Sequence, residues 1–220
     1  RGPLYGQRSA GRRWYETIAT WLTDPVEGPG LIQSGNEPCL FVGKKGFCLA
    51  LYVDDLLVRG TKAQSECFHT MLGERFECRD APSYLAVGAP LEFLGFTLKM
   101  EEREDDTHVY MDQSDALTTF LAEFDLEAIR AQDCPMPSLT KLYSDPELLT
   151  ESGATLYRHA VGFLNFLSKT TRYDVAHATS MMSMVMKAPT NGALKALRHV
   201  LGYLKQSVEF RLGGKCTQRN

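Results

Sequence analysis

The sequence predicts an α+β fold in which short antiparallel strands and helices are followed by a mainly helical region. Two short apolar runs, 39–42 and 47–53, are joined by GKKG, which is a hairpin signal. Two further runs, 91–100 and 107–112, read as paired strands on either side of an acidic segment. From residue 112 onward, apolar residues recur mostly at helical spacing, so the second half is predicted to be mainly helical.

The first half contains two predicted helices. Residues 9–22 (SAGRRWYETIATWL) place apolar side chains on one helical face, with Ser9 as the cap. These apolar side chains are Trp14, Ile18, Trp21 and Leu22. DPVEGPG then breaks the chain before the first hairpin. After a strand over 56–58, Thr61 and Gln64 predict a capping box that starts a second helix. The predicted buried face of this helix holds Phe68, Met71, Leu72 and Phe76.

The second half is predicted to hold four helices. Asp112 could cap the first, which carries Ala116, Leu117, Phe120, Leu121 and Phe124. The apolar faces of the later three are Tyr157, Ala160, Val161, Leu164 and Leu167, then Ala178, Met181, Met182, Val185 and Met186, then Leu194, Leu197, Leu201 and Leu204. We interpret the methionine stripe as core, because methionine fills irregular gaps well.

Composition excludes several classes of protein. The chain of 220 residues can bury a sizeable core, in one domain or two small ones. No apolar run approaches the roughly 20 residues of a membrane span, and the N-terminus lacks a signal-peptide core. The six cysteines show no C-x-x-C pair and no nearby paired histidine. This disfavours a zinc site or a disulfide framework and favours an intracellular setting.

Charge is unevenly distributed along the chain. The net charge is −3, yet residues 1–23 carry +3 and residues 187–220 carry +6. The basic tail could follow a phosphate backbone, whereas the run EEREDD (101–106) is interpreted as a solvated acidic turn. A predicted helix over 194–205 carries Lys195, Arg198, His199 and Lys205. These positions fall on more than one helical face, so they indicate either phosphate contacts or a solvated surface.

Asp54 and Asp55 lie together in the middle of the most apolar stretch, FCLALYVDDLLVRG. One interpretation is a solvated turn, since aspartate is common in turns. The other is a Mg²⁺ site, because a divalent cation removes the repulsion between neighbouring carboxylates. A generic turn would favour glycine or asparagine, and neither occurs between Phe47 and Val58. The flanking strands would hold the carboxylates rigidly at the end of a hairpin.

Several segments together resemble the reverse transcriptase region of copia-type (Pseudoviridae) retrotransposon Pol polyproteins. YVDD (52–55) resembles the catalytic hairpin of reverse transcriptases, and FLGF (93–96) resembles their primer grip. The other similar segments are LYGQRSAGRRWYETI (4–18), GLIQSGNEPCLFV (30–42), YRHAVGFLNFLSKTTRYDVAHATSMMS (157–183) and LKALRHVLGYLK (194–205). They follow the family's order over nearly the whole chain, which is far more specific than YVDD alone.

The resemblance implies a role for each matching residue. Asp54 and Asp55 would be catalytic and bind Mg²⁺ in a two-metal site, with Asp54 the more direct ligand. Tyr52 and Val53 would lie near the primer terminus and the incoming dNTP, and Arg8 would stand where the family has a nucleotide-facing lysine. Phe93, Leu94 and Gly95 would position the primer end, or would form an ordinary edge strand. Trp14 and Tyr15 are either core or contact residues.

The resemblance also implies a division of the chain and a set of partners. Residues 1–111 would be a partial palm, 112–133 a thumb-like helical segment, and 134–220 a helical connection segment. The partners would be an RNA/DNA template-primer, dNTP and the remainder of the Pol polyprotein, namely fingers, integrase and ribonuclease H. No membrane partner is expected. The setting would be intracellular, in a cytoplasmic particle or the nucleus.

The sequence departs from the family's pattern at several points. Gln7, Ser9 and Gly11 replace the usual Leu, Gln and Pro of the first segment, and Tyr173 replaces the Pro of T-R-P-D. Family members carry a third catalytic aspartate upstream, but only three residues precede Leu4 here, and Asp24 lies in a Pro/Gly-rich turn. The chain stops at RLGGKCTQRN, where a ribonuclease H domain would begin. We therefore expect a fragment of an RNA-directed DNA polymerase that is inactive alone.

Two other functions remain as hypotheses. The chain could be a non-catalytic retrotransposon remnant that binds nucleic acid or a protein. It could also be an unrelated metal-dependent phosphotransferase, which would need further clustered carboxylates. Metal-dependent nucleotide incorporation separates the polymerase from the remnant, and activity that survives loss of Asp54 would indicate the third class.

Overall fold

The computed structural model describes residues 8–78, 81–104, 106–124, 128–136, 142 and 144–215. The α+β prediction is confirmed, because these residues form two antiparallel sheets of four strands each and six α-helices. The chain divides into two compact units, with the boundary between Ser83 and Tyr84. The functional division at residues 111 and 133 stays a prediction. Predictions at residues 4–7, Asp105 and Cys216 fall outside the described residues.

The first unit packs two helices on one face of a four-stranded sheet. Its elements are α1 (Ala10–Thr23), β1 (Ile32–Gln33), β2 (Leu40–Val42), β3 (Cys48–Tyr52), β4 (Asp55–Arg59) and α2 (Lys62–Arg75), with sheet order β1-β2-β3-β4. The predicted hairpin is confirmed, since Leu40 pairs with Ala50 and Val42 with Cys48. The buried core consists of Ile18, Trp21, Leu22, Leu31, Phe41, Phe47, Leu49, Leu51 and Phe68.

The two predicted helix caps of this unit have different outcomes. The capping box of α2 is confirmed, because Gln64 N donates to Thr61 Oγ1 at 3.2 Å and Thr61 N donates to Gln64 Oε1 at 2.8 Å. The Ser9 side-chain cap of α1 is wrong. Ser9 has φ −94° and ψ −2°, so it lacks the extended conformation that directs a capping side chain at the helix. Only its carbonyl takes part, accepting from Arg13 N at 3.1 Å.

The second unit combines a sheet with a helical core. Its strands are β5 (Leu91–Phe93), β6 (Phe96–Arg103), β7 (Asp106–Asp112) and β8 (Leu212–Lys215), and its helices are α3 (Ser114–Leu121), α4 (Glu151–Thr170), α5 (Ala176–Ser183) and α6 (Asn191–Gln206). The predicted apolar helix faces form one buried cluster. Met182 is fully buried within this cluster and Met181 packs against it, which confirms the methionine stripe as core. Two predicted helices are shorter than expected, because α3 ends before Phe124 and α5 ends before Val185.

The predicted cap at Asp112 is found only in part, because the N-cap residue of α3 is Gln113, whose side chain forms no cap hydrogen bond. The Asp112 carboxylate accepts from the backbone N–H and the hydroxyl of Ser114, in the first turn of α3. It also accepts from Lys99 Nζ at 2.7 Å. Burial raises the pKa of Asp112, but these hydrogen bonds outweigh burial and leave the pKa below its ordinary value.

Strand β8 was not predicted, and it uses part of the basic tail. It pairs with β7 at the edge of the second sheet. Arg211 Nη1 donates to Glu101 Oε1 at 2.5 Å, and Lys215 Nζ lies 2.7 Å from Asp106 Oδ2. A Cβ at Gly213 would overlap the Tyr110 ring, so only glycine lets the strand lie this close. The acidic run is therefore not simply a solvated turn, since two of its carboxylates pair with the basic tail.

Arg172 is a buried cation that joins α4 to the end of α6. Its side chain is 2% exposed and donates to both Asp174 carboxylate oxygens, at 3.0 and 2.8 Å. It also donates to the Ser207 carbonyl at 2.9 Å and the Ser207 hydroxyl at 2.7 Å. Tyr203 Oη donates to Asp174 as well. These contacts give the TRYD segment a structural role that its sequence alone did not indicate.

We expect Arg172→Ala to lower the free energy of unfolding by about 3 kcal/mol, because it leaves Asp174 and the Ser207 carbonyl without their partner. Arg198→Ala is the matched control, since Arg198 is exposed on α6. It should change stability by less than about 0.5 kcal/mol. Urea unfolding followed by circular dichroism measures both. Equal losses in the two variants would contradict the structural role of Arg172.

Acid should remove stability that Asp174 contributes. Burial raises its pKa, but the hydrogen bonds from Arg172 and Tyr203 outweigh burial, so its pKa lies below the ordinary value. A carboxyl whose pKa is lowered by folding stabilises the fold above its unfolded pKa of about 4 and loses that contribution as the pH falls through the folded value. Asp174→Asn should therefore weaken the loss of stability below about pH 4. An unchanged acid dependence in urea titrations would contradict this.

Candidate functional site: an acidic turn on a hairpin

The aspartates lie in a tight turn between β3 and β4, which we call the acidic turn (Tyr52–Asp55). The two strands pair in register from Cys48 with Arg59 to Tyr52 with Asp55. Only Val53 and Asp54 therefore remain in the loop. Leu49 and Leu51 are buried in the core of the first unit, so packing at the strand's inner face fixes where the turn begins.

The backbone of the acidic turn is strained at Val53. This residue has φ 53°, in the left-handed region that favours glycine. Left-handed backbone costs an L residue about 1–2 kcal/mol and is a genuine outlier for a β-branched side chain. Such conformations persist only where the surroundings over-determine them, and they cluster at functional sites. The turn therefore keeps an unfavourable backbone conformation at Val53, and a glycine at this position would remove the strain.

Trp14 of α1 contacts the backbone of the acidic turn. Its indole Nε1–H donates to the Val53 carbonyl at 2.6 Å. The indole also lies edge-on to the Phe76 ring, with centroids 5.4 Å apart. The sequence left Trp14 open between core and contact, and in the structure it packs at the core's margin and binds the turn. Tyr15 Oη donates instead to the Pro38 carbonyl at 3.0 Å, which is a contact within the fold.

The two carboxylates of the turn are open to solvent. Asp54 and Asp55 are exposed, and neither side chain forms a hydrogen bond or ion pair with another described residue. Their oxygens are hard donors of the kind that Mg²⁺ prefers, and Mg²⁺ sites commonly use one or two carboxylates together with substrate phosphates. The pair therefore fits part of a magnesium site. Within the described ranges, no group of three or more His, Cys, Asp or Glu side chains could hold a metal ion.

The Asp24 side chain accepts hydrogen bonds from the backbone of its own turn. Its Oδ1 accepts from Val26 N at 2.8 Å and from Glu27 N at 3.1 Å. These backbone hydrogen bonds hold the pKa of the Asp24 carboxyl below its usual value. The Asp24 side chain thus stabilises the Pro/Gly-rich turn in which the sequence places it.

The remaining predicted site residues lie in two places. Arg8 is exposed, two residues before the start of α1. Phe93 ends β5, and Leu94 and Gly95 form a two-residue turn to β6 with φ 48° and 79°. Positive φ at both loop positions is typical of a type I′ hairpin turn. The Gly95 backbone lies against the Phe166 ring of α4. The primer-grip and edge-strand interpretations of this hairpin both remain predictions.

Several predicted phosphate-contacting groups have protein partners. Lys195 Nζ lies 2.9 Å from Asp145 Oδ2, and His199 Nε2 lies 2.9 Å from the Cys134 carbonyl oxygen. Arg211 and Lys215 are paired with the acidic run, as described above. Arg198 and Lys205 are exposed on α6. The basic C-terminal segment therefore offers less free positive charge than its composition indicates.

Comparison with known proteins finds several relatives of this chain. The chain is similar to retrovirus-related Pol polyproteins from the transposons RE1 and RE2 of Arabidopsis thaliana and TNT 1-94 of Nicotiana tabacum. The identities are 30%, 28% and 24%, over 93%, 93% and 92% of this chain. The chain spans only 13%, 13% and 15% of the length of these relatives. It is therefore homologous to a short region of such polyproteins.

The other comparisons give no match. No protein-family model matches the chain, and no solved structure matches it. Every helix among the described residues is too short or too polar to span a membrane.

Replacing Val53 with glycine tests the strain in the acidic turn. Glycine takes positive φ freely, and the Val53 side chain is 60% exposed, so little burial is lost. We expect Val53→Gly to change the free energy of unfolding by less than about 1 kcal/mol, because relief of strain offsets the greater freedom of glycine in the unfolded chain. Val58→Gly is the control, since Val58 is the same residue in regular strand and packs on the core. It should cost about 2 kcal/mol or more in urea unfolding. Similar losses at both positions would contradict the strained turn.

Proposed function

We propose that this chain is a segment of the reverse transcriptase of a copia-type retrotransposon Pol polyprotein, and that the acidic turn supplies two carboxylates to its polymerase site. The observation that supports this most strongly is the acidic turn itself. The side chains of two exposed aspartates, which have no hydrogen-bond or ion-pair partner among the described residues, follow a strained residue at the end of a hairpin held by a buried core. The similarity to Pol polyproteins over 93% of the chain supports the same proposal.

In this proposal the enzyme is an RNA-directed DNA polymerase that transfers nucleotides from dNTP to a primer 3′ end. Bound Mg²⁺ would activate the attacking hydroxyl and stabilise the leaving oxygen. Asp54 and Asp55 would hold that metal, with Asp54 the more direct ligand. The residues of the chain would otherwise bind and orient, because phosphoryl transfer depends mainly on positioning and electrostatic stabilisation.

Other residues would position the substrates. Tyr52 and Val53 are 57% and 60% exposed, which leaves them accessible to a primer terminus or nucleotide. Arg8 would face the nucleotide phosphates, since a guanidinium matches phosphate geometry. Phe93, Leu94 and Gly95 would position the primer end. The RNA/DNA duplex would be read by its backbone and shape, not by its sequence.

The site would be completed by residues from elsewhere in the polyprotein. The chain spans 13–15% of the relatives that it matches, and its described residues lack a third metal ligand beside the turn. An upstream aspartate would supply that ligand. The partners would then include the upstream fingers and palm segment, with integrase and ribonuclease H as other parts of the polyprotein. The lack of a third ligand equally supports the alternative, a non-catalytic remnant that binds nucleic acid or protein.

Primer extension on an RNA template with Mg²⁺ tests the polymerase proposal. The chain is assayed alone and mixed with the separately produced upstream segment of the RE1 polyprotein. We expect incorporation only in the mixture, reduced about a hundredfold or more by Asp54→Asn, because that change removes a metal-binding charge from the reacting centre. Asp133→Asn is the matched control, since Asp133 is exposed and lies outside the acidic turn.

The other possible results of the primer-extension assay distinguish the three hypotheses. Lack of incorporation in every mixture, with circular dichroism showing folded protein, would contradict polymerase activity and favour the remnant. Incorporation that survives Asp54→Asn would indicate a catalytic centre elsewhere. Equal effects of Asp54→Asn and Asp133→Asn would show that the loss does not depend on the acidic turn.

A further inference from the structure

We infer that Trp14 is a positioning residue, which fixes the peptide plane leading into Asp54 and so sets the direction of the metal-binding carboxylate. The inference rests on the proposed function of the acidic turn, and it adds a residue to which no catalytic role was given. Its basis is the hydrogen bond from the Trp14 indole to the Val53 carbonyl at 2.6 Å.

This hydrogen bond lies where it can fix the backbone orientation of Asp54. The Val53 carbonyl belongs to the peptide unit between Val53 and Asp54, which is planar. Fixing this oxygen therefore fixes the plane from which the Asp54 Cα extends. The indole can only donate, and its ring is held edge-on to Phe76 at the end of α2. Helices α1 and α2 thus both contribute to the geometry of the turn.

The strain at Val53 explains why the turn needs this contact. A β-branched residue at φ 53° relaxes unless its surroundings oppose relaxation. Strand pairing holds the turn on both sides, through Tyr52 and Asp55. Within the described residues, the Trp14 indole is the one side chain that hydrogen-bonds to the two-residue loop itself. Without it, the loop can exchange with less strained conformations that point Asp54 elsewhere.

Trp21 is a control residue that distinguishes an effect of Trp14 on the acidic turn from an effect on core packing. It lies on the same helix, its indole is edge-on to the same Phe76 ring at 5.3 Å, and its Nε1–H also donates to a backbone carbonyl, that of Glu27. Trp21 is 5% exposed, so its loss should destabilise the core at least as much as the loss of Trp14. Its hydrogen bond, however, ends at Glu27 and does not reach the acidic turn.

The experiment compares Trp14→Phe with Trp21→Phe in the full chain. Phenylalanine keeps an aromatic ring beside Phe76 and removes the N–H donor. The first readout is the amide NMR signals of Val53 and Asp54, with the coupling constant that reports φ at Val53. The second is the binding of Mn²⁺, followed by paramagnetic broadening of signals around the turn.

We expect Trp14→Phe to shift the Val53 and Asp54 amide signals and to weaken Mn²⁺ binding by about tenfold, as for other residues that orient metal ligands. Trp21→Phe should leave both readouts near those of the native chain. In the mixture with the upstream segment, Trp14→Phe should lower kcat by about tenfold or more, since small displacements of reacting groups are costly. The KM for dNTP should change little.

The other possible results of the comparison test the positioning role and the proposed function separately. Unchanged turn signals and Mn²⁺ binding in Trp14→Phe, or equal changes in both variants, would overturn the positioning role. Changed signals in Trp14→Phe, together with no nucleotide incorporation by the native chain even in the mixture with the upstream segment, would support the positioning role and contradict the proposed function. If Trp14→Phe does not fold, hydrogen exchange of the indole N–H in the native chain decides the matter. Slow exchange supports the hydrogen bond to Val53, and exchange as fast as in a free indole overturns it.

Discussion

The pairing of β3 with β4 is the constraint on which the acidic turn depends. Because the pairing continues to Tyr52 opposite Asp55, two residues must close the hairpin, and Val53 takes the left-handed conformation. A shift of one residue would relax the turn, but it would also move Leu51 out of the core, because side chains alternate between faces. The energy of the buried core therefore maintains a strained turn that has no stabilising glycine.

The second unit adds a buried charge to its apolar core. Arg172 satisfies its guanidinium with Asp174 and Ser207, which joins segments 35 residues apart in the sequence. A buried ion pair gives little net stability compared with apolar packing, but the loss of either partner is costly. Arg211 and Glu101 connect β8 to β6 in a more exposed form of the same interaction. The contacts of Arg172 and Arg211 thus join segments that are distant in the sequence.

Structure that depends on residues close together in the sequence was predicted well. Features that depend on contacts between distant residues could not be predicted. The Thr61 capping box and the apolar faces of the helices depend on residues three or four positions apart, which a sequence displays directly. Strand β8 has two glycines and an unremarkable pattern, and it forms because Gly213 fits against Tyr110 far away in the chain. Trp14 fitted the helical period of the core, yet its hydrogen bond to Val53 spans 39 residues and leaves no local signal.

The placement of two aspartates within an apolar stretch follows from these constraints. Buried strands are rigid because their side chains pack on a core, and the residues at a hairpin tip are the first that can reach water. Placing Asp54 and Asp55 there keeps both carboxylates hydrated while the strands fix the backbone beneath them. A flexible polar loop would expose carboxylates equally well, but it would not hold them in one direction. A site that must present its carboxylates in a fixed geometry gains from such strands, and the proposed metal binding is chemistry of that kind.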